Sequence, residues 1–204
     1  AGSITTYAQL KSSIADWLNR DDLTSVIPSF ISLAEAEVSR DLRHWLQEKR
    51  VTTALNEEYE YLPDDWLETI SLRLSRGDEL SVISQSEMAE YKEGTSDVSG
   101  TPKYYCISAG QMEFYPVPDG SYDITLTYHA RIPAMVNDTD TNWLLTNQPD
   151  IMLYASLKHA APYLDDDRRL GVWKQLYDQA IQRLEVNSNL AKHSGPLVMR
   201  FKAT

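Results

Sequence analysis

Cysteine is nearly absent: Cys106 is alone in 204 residues, so no internal disulfide can form and no cysteine cluster can hold zinc. Such a chain is expected to be made in a reducing cytoplasm. Long hydrophobic runs are missing too. The longest, Ile151–Ala155, is far too short to span a bilayer. No basic stretch leading into an apolar one opens the sequence, so no secretory signal is expected in this form. Cations are in deficit, with 19 Lys and Arg against 30 Asp and Glu for a net charge of −11. Gripping a phosphate backbone needs clustered Lys and Arg, so DNA is not expected as a bound ligand.

Catalytic signatures are missing as well. There is no Gly-x-x-x-x-Gly-Lys loop, no Gly-x-Ser-x-Gly elbow and no His-Glu-x-x-His helix. His44, His129, His159 and His193 are scattered without metal-ligand spacing. Asp138-Thr139-Asp140-Thr141-Asn142 begins like a calcium loop, but Trp143 stands where the sixth-position glycine belongs and Pro149 where the closing glutamate belongs. The acids Glu57, Glu58, Glu60, Asp64, Asp65 and Glu68 would serve a glycosidase only if two of them flanked a cleft at a set separation. Their alternation with Tyr59 and Tyr61 reads instead as the wet face of a strand. Cys106, with no basic neighbour pattern, reads as an inert buried thiol. No catalytic residue, metal or cofactor is assigned, and the chain does not read as an enzyme.

What is present is a helical, then β, then helical order, an α+β chain. Thr6 and Gln9 form a capping box, and Leu10, Ile14, Trp17 and Leu18 follow on one helical face. A second stripe runs Ile31, Ala34, Val38, Leu42, Trp45, with Pro28 in its first turn and Glu35, Glu37, Arg40 and Arg43 off it. From about Arg50 the period becomes two. Ile70, Leu72 and Leu74 alternate with Ser71, Arg73 and Ser75. Ser84 and Glu87 cap a short helix ending near Gly94. Lys103–Ser108 and Gln111–Tyr115 flank Ala109-Gly110 as a hairpin. Tyr122, Ile124, Leu126 and Tyr128 then share one face of the clearest strand, which marks an antiparallel module with one wet face. Helices resume at Pro149-Asp150. A last one, capped by Asp165–Asp167, carries Leu170, Trp173, Tyr177, Ile181 and Leu184. Trp17, Trp45 and Trp173 are expected in cores.

These signals divide the chain into 1–48 (N-terminal helices), 49–148 (β-rich module), 149–190 (C-terminal helices) and 191–204 (an extended arm). Residues 51–148 carry five basic and seventeen acidic side chains, whereas the two ends nearly balance. That acidic field repels polyanions. From Val186 to Thr204 there is no acid, and Lys192, Arg200 and Lys202 stand there. Leu197, Val198, Met199 and Phe201 beside them are costly to leave in water, so the tail gains by docking on a neighbour.

Three ordered sets of residues resemble the head-to-tail connector adaptor proteins of tailed bacteriophages. The first is Thr5-Thr6-Tyr7-Ala8-Gln9-Leu10 with Ile14–Arg20, Ile27–Ile31 and Leu33–Ala36. The second is Gly100–Tyr105 with Pro116–Tyr122, and the third is Trp143–Leu145 with Pro149-Asp150, Leu153–Leu157 and Ala160–Leu164. The resemblance implies that the N- and C-terminal helices form an antiparallel bundle with an inserted antiparallel β module. It implies a ring of copies, usually twelvefold, docked under the portal protein, joined to a tail or nozzle protein and passing DNA through its lumen without binding it specifically. Its place is then the virion, with no membrane partner. Leu197, Val198, Met199, Arg200, Phe201 and Lys202 become the portal-docking candidates, and Glu57, Glu58, Glu60, Asp64, Asp65 and Glu68 candidate lumen or interface acids. Two other readings stand beside it: a tail or fibre module binding carbohydrate or protein through the tyrosine-rich β face, and an enzyme with a spatially assembled carboxylate site.

Overall fold

The computed structural model describes residues 3–94, 98–164 and 169–193, with side chains to Ser188 in the last helix. In chain order its elements are α1 (Tyr7–Leu18), α2 (Ile27–Asp41), a 3-10 turn (Trp45–Gln47), β1 (Glu48–Leu55), β2 (Tyr59–Tyr61), β3 (Trp66–Leu74), β4 (Ser81–Val82), α3 (Gln85–Gly94), β5 (Ser99–Gly100), β6 (Tyr104–Ser108), β7 (Gln111–Tyr115), β8 (Val117–Pro118), β9 (Tyr122–Ala130), α4 (Trp143–Asn147), α5 (Pro149–Ala160), a second 3-10 turn (Ala161–Leu164) and α6 (Leu170–His193). The chain is mixed α+β, as expected. It divides into two compact units, one built from the residues up to Leu46 together with those from Ile132 on, the other from Gln47–Arg131.

In the helical unit, α1 begins where its capping box requires. Gln9 N–H donates to Thr6 Oγ1 at 3.4 Å and Thr6 N–H donates to Gln9 Oε1 at 3.2 Å. Leu10, Ile14 and Leu18 are buried, but Trp17 is 43% exposed. It lies at the margin of the stripe, its ring meeting Tyr154 and Trp173 at centroid distances of 6.0 and 5.5 Å. Trp45 is also 43% exposed, because α2 ends at Asp41 and the helical period never reaches it. Trp173 alone of the three is in the core. The central helix is α5, in which Ile151, Met152, Leu153, Ala155, Ser156, Leu157 and Ala160 are all buried. Burial on so many sides is the mark of a helix surrounded by others, and α5 packs on α1, α2, α4 and α6. Ser156, fully buried, returns its hydroxyl to Met152 O at 2.7 Å. Along α6, Trp173, Tyr177, Ile181 and Leu184 face the same core, while Leu170 is 40% exposed. The expected cap Asp165–Asp167 lies outside the described residues.

A polar seam joins α2, α5 and α6. Glu37 accepts from Lys158 Nζ at 2.6 Å and pairs with His159 Nε2 at 2.9 Å. The Lys158 ammonium lies 4.2 Å from the Tyr177 ring centroid, and the Tyr177 hydroxyl donates to Asp41 at 3.0 Å. Burial disfavours the Glu37 charge, but Lys158 and then His159 outweigh it and hold the carboxyl below its ordinary range.

Glu35 departs from expectation. Its position in the sequence lies off the apolar stripe, yet it is buried at 9% exposure. The reason is a backbone donor: Met135 N–H, in a segment without regular structure, donates to Glu35 Oε1 at 2.9 Å. Burial raises the Glu35 pKa against the opposing Met135 bond. A carboxyl whose folded-state pKa is raised contributes stability that is complete below its unfolded pKa and is lost as pH rises through the folded one. Glu35→Gln keeps the acceptor and removes the charge, so it should stabilise the protein at pH 7 and flatten stability between pH 4 and 7. Glu35→Ala orphans the Met135 N–H and should cost about 1–3 kcal/mol. Urea melts at several pH values check both. A Gln variant less stable than wild type at pH 7 would refute the assignment.

In the β unit, one antiparallel sheet has the order β1-β9-β3, with β1 and β9 in unbroken register from Glu48↔His129 to Leu55↔Tyr122. β9 buries Ile124, Leu126 and Tyr128, as its alternation requires. β3 shifts register between Thr69 and Ser71. That bulge turns Ile70 out to 44% exposure while Leu72 and Leu74 stay buried, correcting the even alternation read from sequence. The second sheet has the order β2-β7-β6-β4, with β4 parallel to β6. Its β6–β7 hairpin turns on Ala109 at φ 52° and Gly110 at φ 79°, the paired left-handed conformation of the two-residue turn that suits strand twist. Both sheets contribute to one core that includes Leu55, Leu72, Met112, Phe114 and Leu126. The expected cap starts α3, with Glu87 N–H donating to Ser84 Oγ at 3.2 Å and Ser84 N–H to Glu87 Oε2 at 2.8 Å.

Candidate functional site

The β unit carries seven basic and sixteen acidic residues, so the chain's negative charge is concentrated there. Its six candidate acids do not form one cluster. Glu57 and Asp64 are exposed in the turns flanking β2, and Glu68 is exposed on β3 opposite His129. Glu60 is half-buried in β2 opposite Met112. The sense of the Tyr–Glu alternation is therefore the reverse of the expected one. Glu60 shares the core-side face of Met112, whereas Tyr59 and Tyr61, opposite Glu113 and Gln111, are 47% and 75% exposed. The tyrosines form the wet face.

Asp65 and Glu58 are held by partners far away in sequence. Asp65 accepts from Lys49 Nζ at 2.5 Å and from the Tyr128 hydroxyl at 2.8 Å, and its backbone carbonyl accepts from Arg131 N–H at 2.6 Å. Burial opposes the Asp65 charge, but Lys49 and Tyr128 more than offset it and hold the carboxyl low. The Tyr128 hydroxyl is pushed up to about 12, first by burial and then by Asp65. Glu58 shares the Lys92 ammonium with Glu113, fastening α3 to β7 and to the bend just before β2. The Lys92 Nζ lies 5.6 Å from the Tyr59 ring centroid. Cys106 is buried and donates its Sγ–H to Glu113 Oε2 at 3.5 Å. Burial, reinforced by Glu113, pushes the thiol up to about 11. It stays neutral at physiological pH and is a poor nucleophile. Neither Lys49 nor Lys92 nor Tyr128 carried a local signal, because each partner sits on a different element.

Aromatic surface continues on α3, where Tyr91, 43% exposed, stacks on Tyr104 and Tyr115 at 5.2 and 5.5 Å. In the helical unit the calcium-like stretch serves local structure. Asp140 Oδ2 accepts from Val136 N–H at 2.8 Å and Asn137 N–H at 2.7 Å, and Asn142 Oδ1 caps α4 through Leu145 N–H at 2.8 Å. Among the described residues no three His, Cys, Asp or Glu are placed to hold a metal ion. No described helix is long and apolar enough to cross a membrane. The docking candidates Leu197, Val198, Met199, Arg200, Phe201 and Lys202 lie outside the described residues.

Two of the six acids, Glu58 and Asp65, are thus committed to ion pairs of the fold, the thiol is buried and neutral, and Tyr59 and Tyr61 face outward. The model of the SU10 adaptor protein family matches residues 5–200, and the chain belongs to that family. It is a structural phage adaptor, a virion component of a kind that meets portal and tail proteins and is not a class of enzyme. No curated protein matches the chain.

Proposed function

We propose that the protein is the ring subunit of a head-to-tail connector. Copies assemble through two different flanks in a heterologous contact that closes, with twelve copies to a ring. The ring docks under the portal protein, carries the tail or nozzle protein and passes DNA through its lumen. The helices on either side of the β unit act as an antiparallel bundle into which that unit is inserted, and residues 191–204, of which 191–193 close α6, carry the arm. Leu197, Val198, Met199, Arg200, Phe201 and Lys202 contact the portal. The observation that carries this reading is the family match over residues 5–200. The acid-rich β unit supports a conduit that DNA does not stick to, since like charge repels the phosphate backbone.

Negative-stain microscopy of the chain mixed with portal rings from the same source tests it. An added layer with the portal's symmetry, absent for the chain alone, is the expected result. A bare portal with both proteins folded would count against direct docking, and saturable glycan binding by a monomer would favour the tail-fibre reading. Among the candidate lumen acids Glu57, Glu58, Glu60, Asp64, Asp65 and Glu68, the exposed turn residues Glu57 and Asp64 can be reversed without breaking an ion pair among the described residues. Converting Glu57 and Asp64 to lysine should slow DNA ejection, and unchanged ejection from normally assembled particles would remove the lumen role.

A further inference from the structure

Among the described residues β2 is an edge strand, and its open side has a defined chemistry. It lies at the end of the sheet β2-β7-β6-β4. Phe114 N–H donates to Glu58 O at 2.9 Å and Leu62 N–H to Gly110 O at 3.2 Å, so residues 58, 60 and 62 turn their backbone groups toward β7. In an antiparallel ladder the intervening residues turn theirs the other way. The N–H and C=O of Tyr59 and of Tyr61 therefore point out of the sheet, two residues apart, ready to pair with one more extended strand. Side chains at that edge alternate in kind: exposed Tyr59 and Tyr61 on one face, Glu60 on the other.

One segment of the chain matches that alternation. Eleven residues, 194–204, follow the end of α6. In Leu197-Val198-Met199-Arg200-Phe201-Lys202 a strand period of two places Leu197, Met199 and Phe201 on one face and Val198, Arg200 and Lys202 on the other. The apolar face suits the tyrosines, and the basic face suits Glu60 in a unit of strongly acidic composition. We infer that residues 197–202 of a second copy of this chain add as a strand to the open edge of β2, their apolar face on Tyr59 and Tyr61 and Arg200 and Lys202 on the Glu60 side. The inference rests on the arm proposed above only for the identity of its occupant. The contact competes with the portal for the same residues, so it belongs to copies not yet docked.

Tyr61→Pro is the deciding variant. It deletes an N–H that faces out of the sheet, a place where edge strands tolerate proline, and leaves the β2–β7 bonds intact. Tyr61→Phe keeps the N–H and the ring. The wild-type chain should associate reversibly in sedimentation velocity, and a labelled peptide of residues 195–204 should bind it. Both should weaken at least tenfold in Tyr61→Pro and survive in Tyr61→Phe, with circular dichroism unchanged. Glu60→Lys should weaken the peptide as well. Equal binding of the peptide to wild type and Tyr61→Pro, equal binding of a scrambled peptide of the same composition, or a concentration-independent contact within one copy would overturn the inference. Portal attachment of the Tyr61→Pro chain should be retained. No peptide binding with attachment intact removes the edge contact alone, whereas peptide binding with a bare portal removes the docking arm alone.

Discussion

Deleting Gly195–Thr204 is expected to abolish attachment to portal rings while leaving the chain folded. The fold should survive because the helical core is assembled, among the described residues, from side chains no later than Leu184, with Ser188 buried one turn beyond. Attachment should fail because the deleted segment holds Leu197, Val198, Met199 and Phe201 together with Arg200 and Lys202. Burying one large apolar side chain is worth about 1.5–3 kcal/mol, and ordering the segment offsets part of that gain. A net loss of about 4 kcal/mol is already about a thousandfold in Kd. Phe201→Asp alone should reproduce much of the loss, by removing an apolar contact and adding a charge that needs a partner. Co-sedimentation with portal rings measures both. A deletion variant that sediments with the portal as wild type does would show that another surface carries docking, and the arm reading would fall.

Much of this architecture was legible because its signals are local. A capping box needs four residues, and both Thr6–Gln9 and Ser84–Glu87 stand as read. The Ala109-Gly110 hairpin and the alternation of β9 are equally local. Features set by packing were not legible. α5 is buried around most of its circumference, so it has no clean stripe to read. The bulge in β3 that turns Ile70 outward depends on pairing with β9, which no property of residues 66–74 announces. α4 is a five-residue helix, too short for periodicity to mark.

The surface followed the same division. Acid excess was plain from composition, but which acids are committed to the fold was not. Asp65 is held by Lys49 and Tyr128 across the β1-β9-β3 sheet, and Glu58 by Lys92 from α3. Such partners are juxtaposed only by the finished topology. The Tyr59-Glu60-Tyr61 alternation was read correctly as a strand and with its faces inverted. Period two fixes which residues share a face, and only the pairing with β7 decides which face is wet.

Leu157→Ala should be among the most damaging single substitutions in the helical unit. Leu157 is fully buried on α5, the helix that packs on α1, α2, α4 and α6. Truncation removes the transfer energy of the lost carbons and leaves a void that rigid neighbours on several sides cannot close, a loss of about 2–5 kcal/mol. For a protein of about 200 residues each kcal/mol shifts Tm by about 2–4 °C, so the melting temperature should fall by about 10 °C. The control is Val172→Ala on α6, where the side chain is 52% exposed and the change should stay within about 0.5 kcal/mol. Differential scanning calorimetry of the two variants separates the cases. A Leu157→Ala protein melting within two or three degrees of wild type would mean that α5 is not the centre of the core. Because α5 organises the helical unit, the variant should also lose portal attachment near its own lowered Tm, whereas the arm deletion loses it at every temperature. That difference distinguishes a broken scaffold from a missing contact.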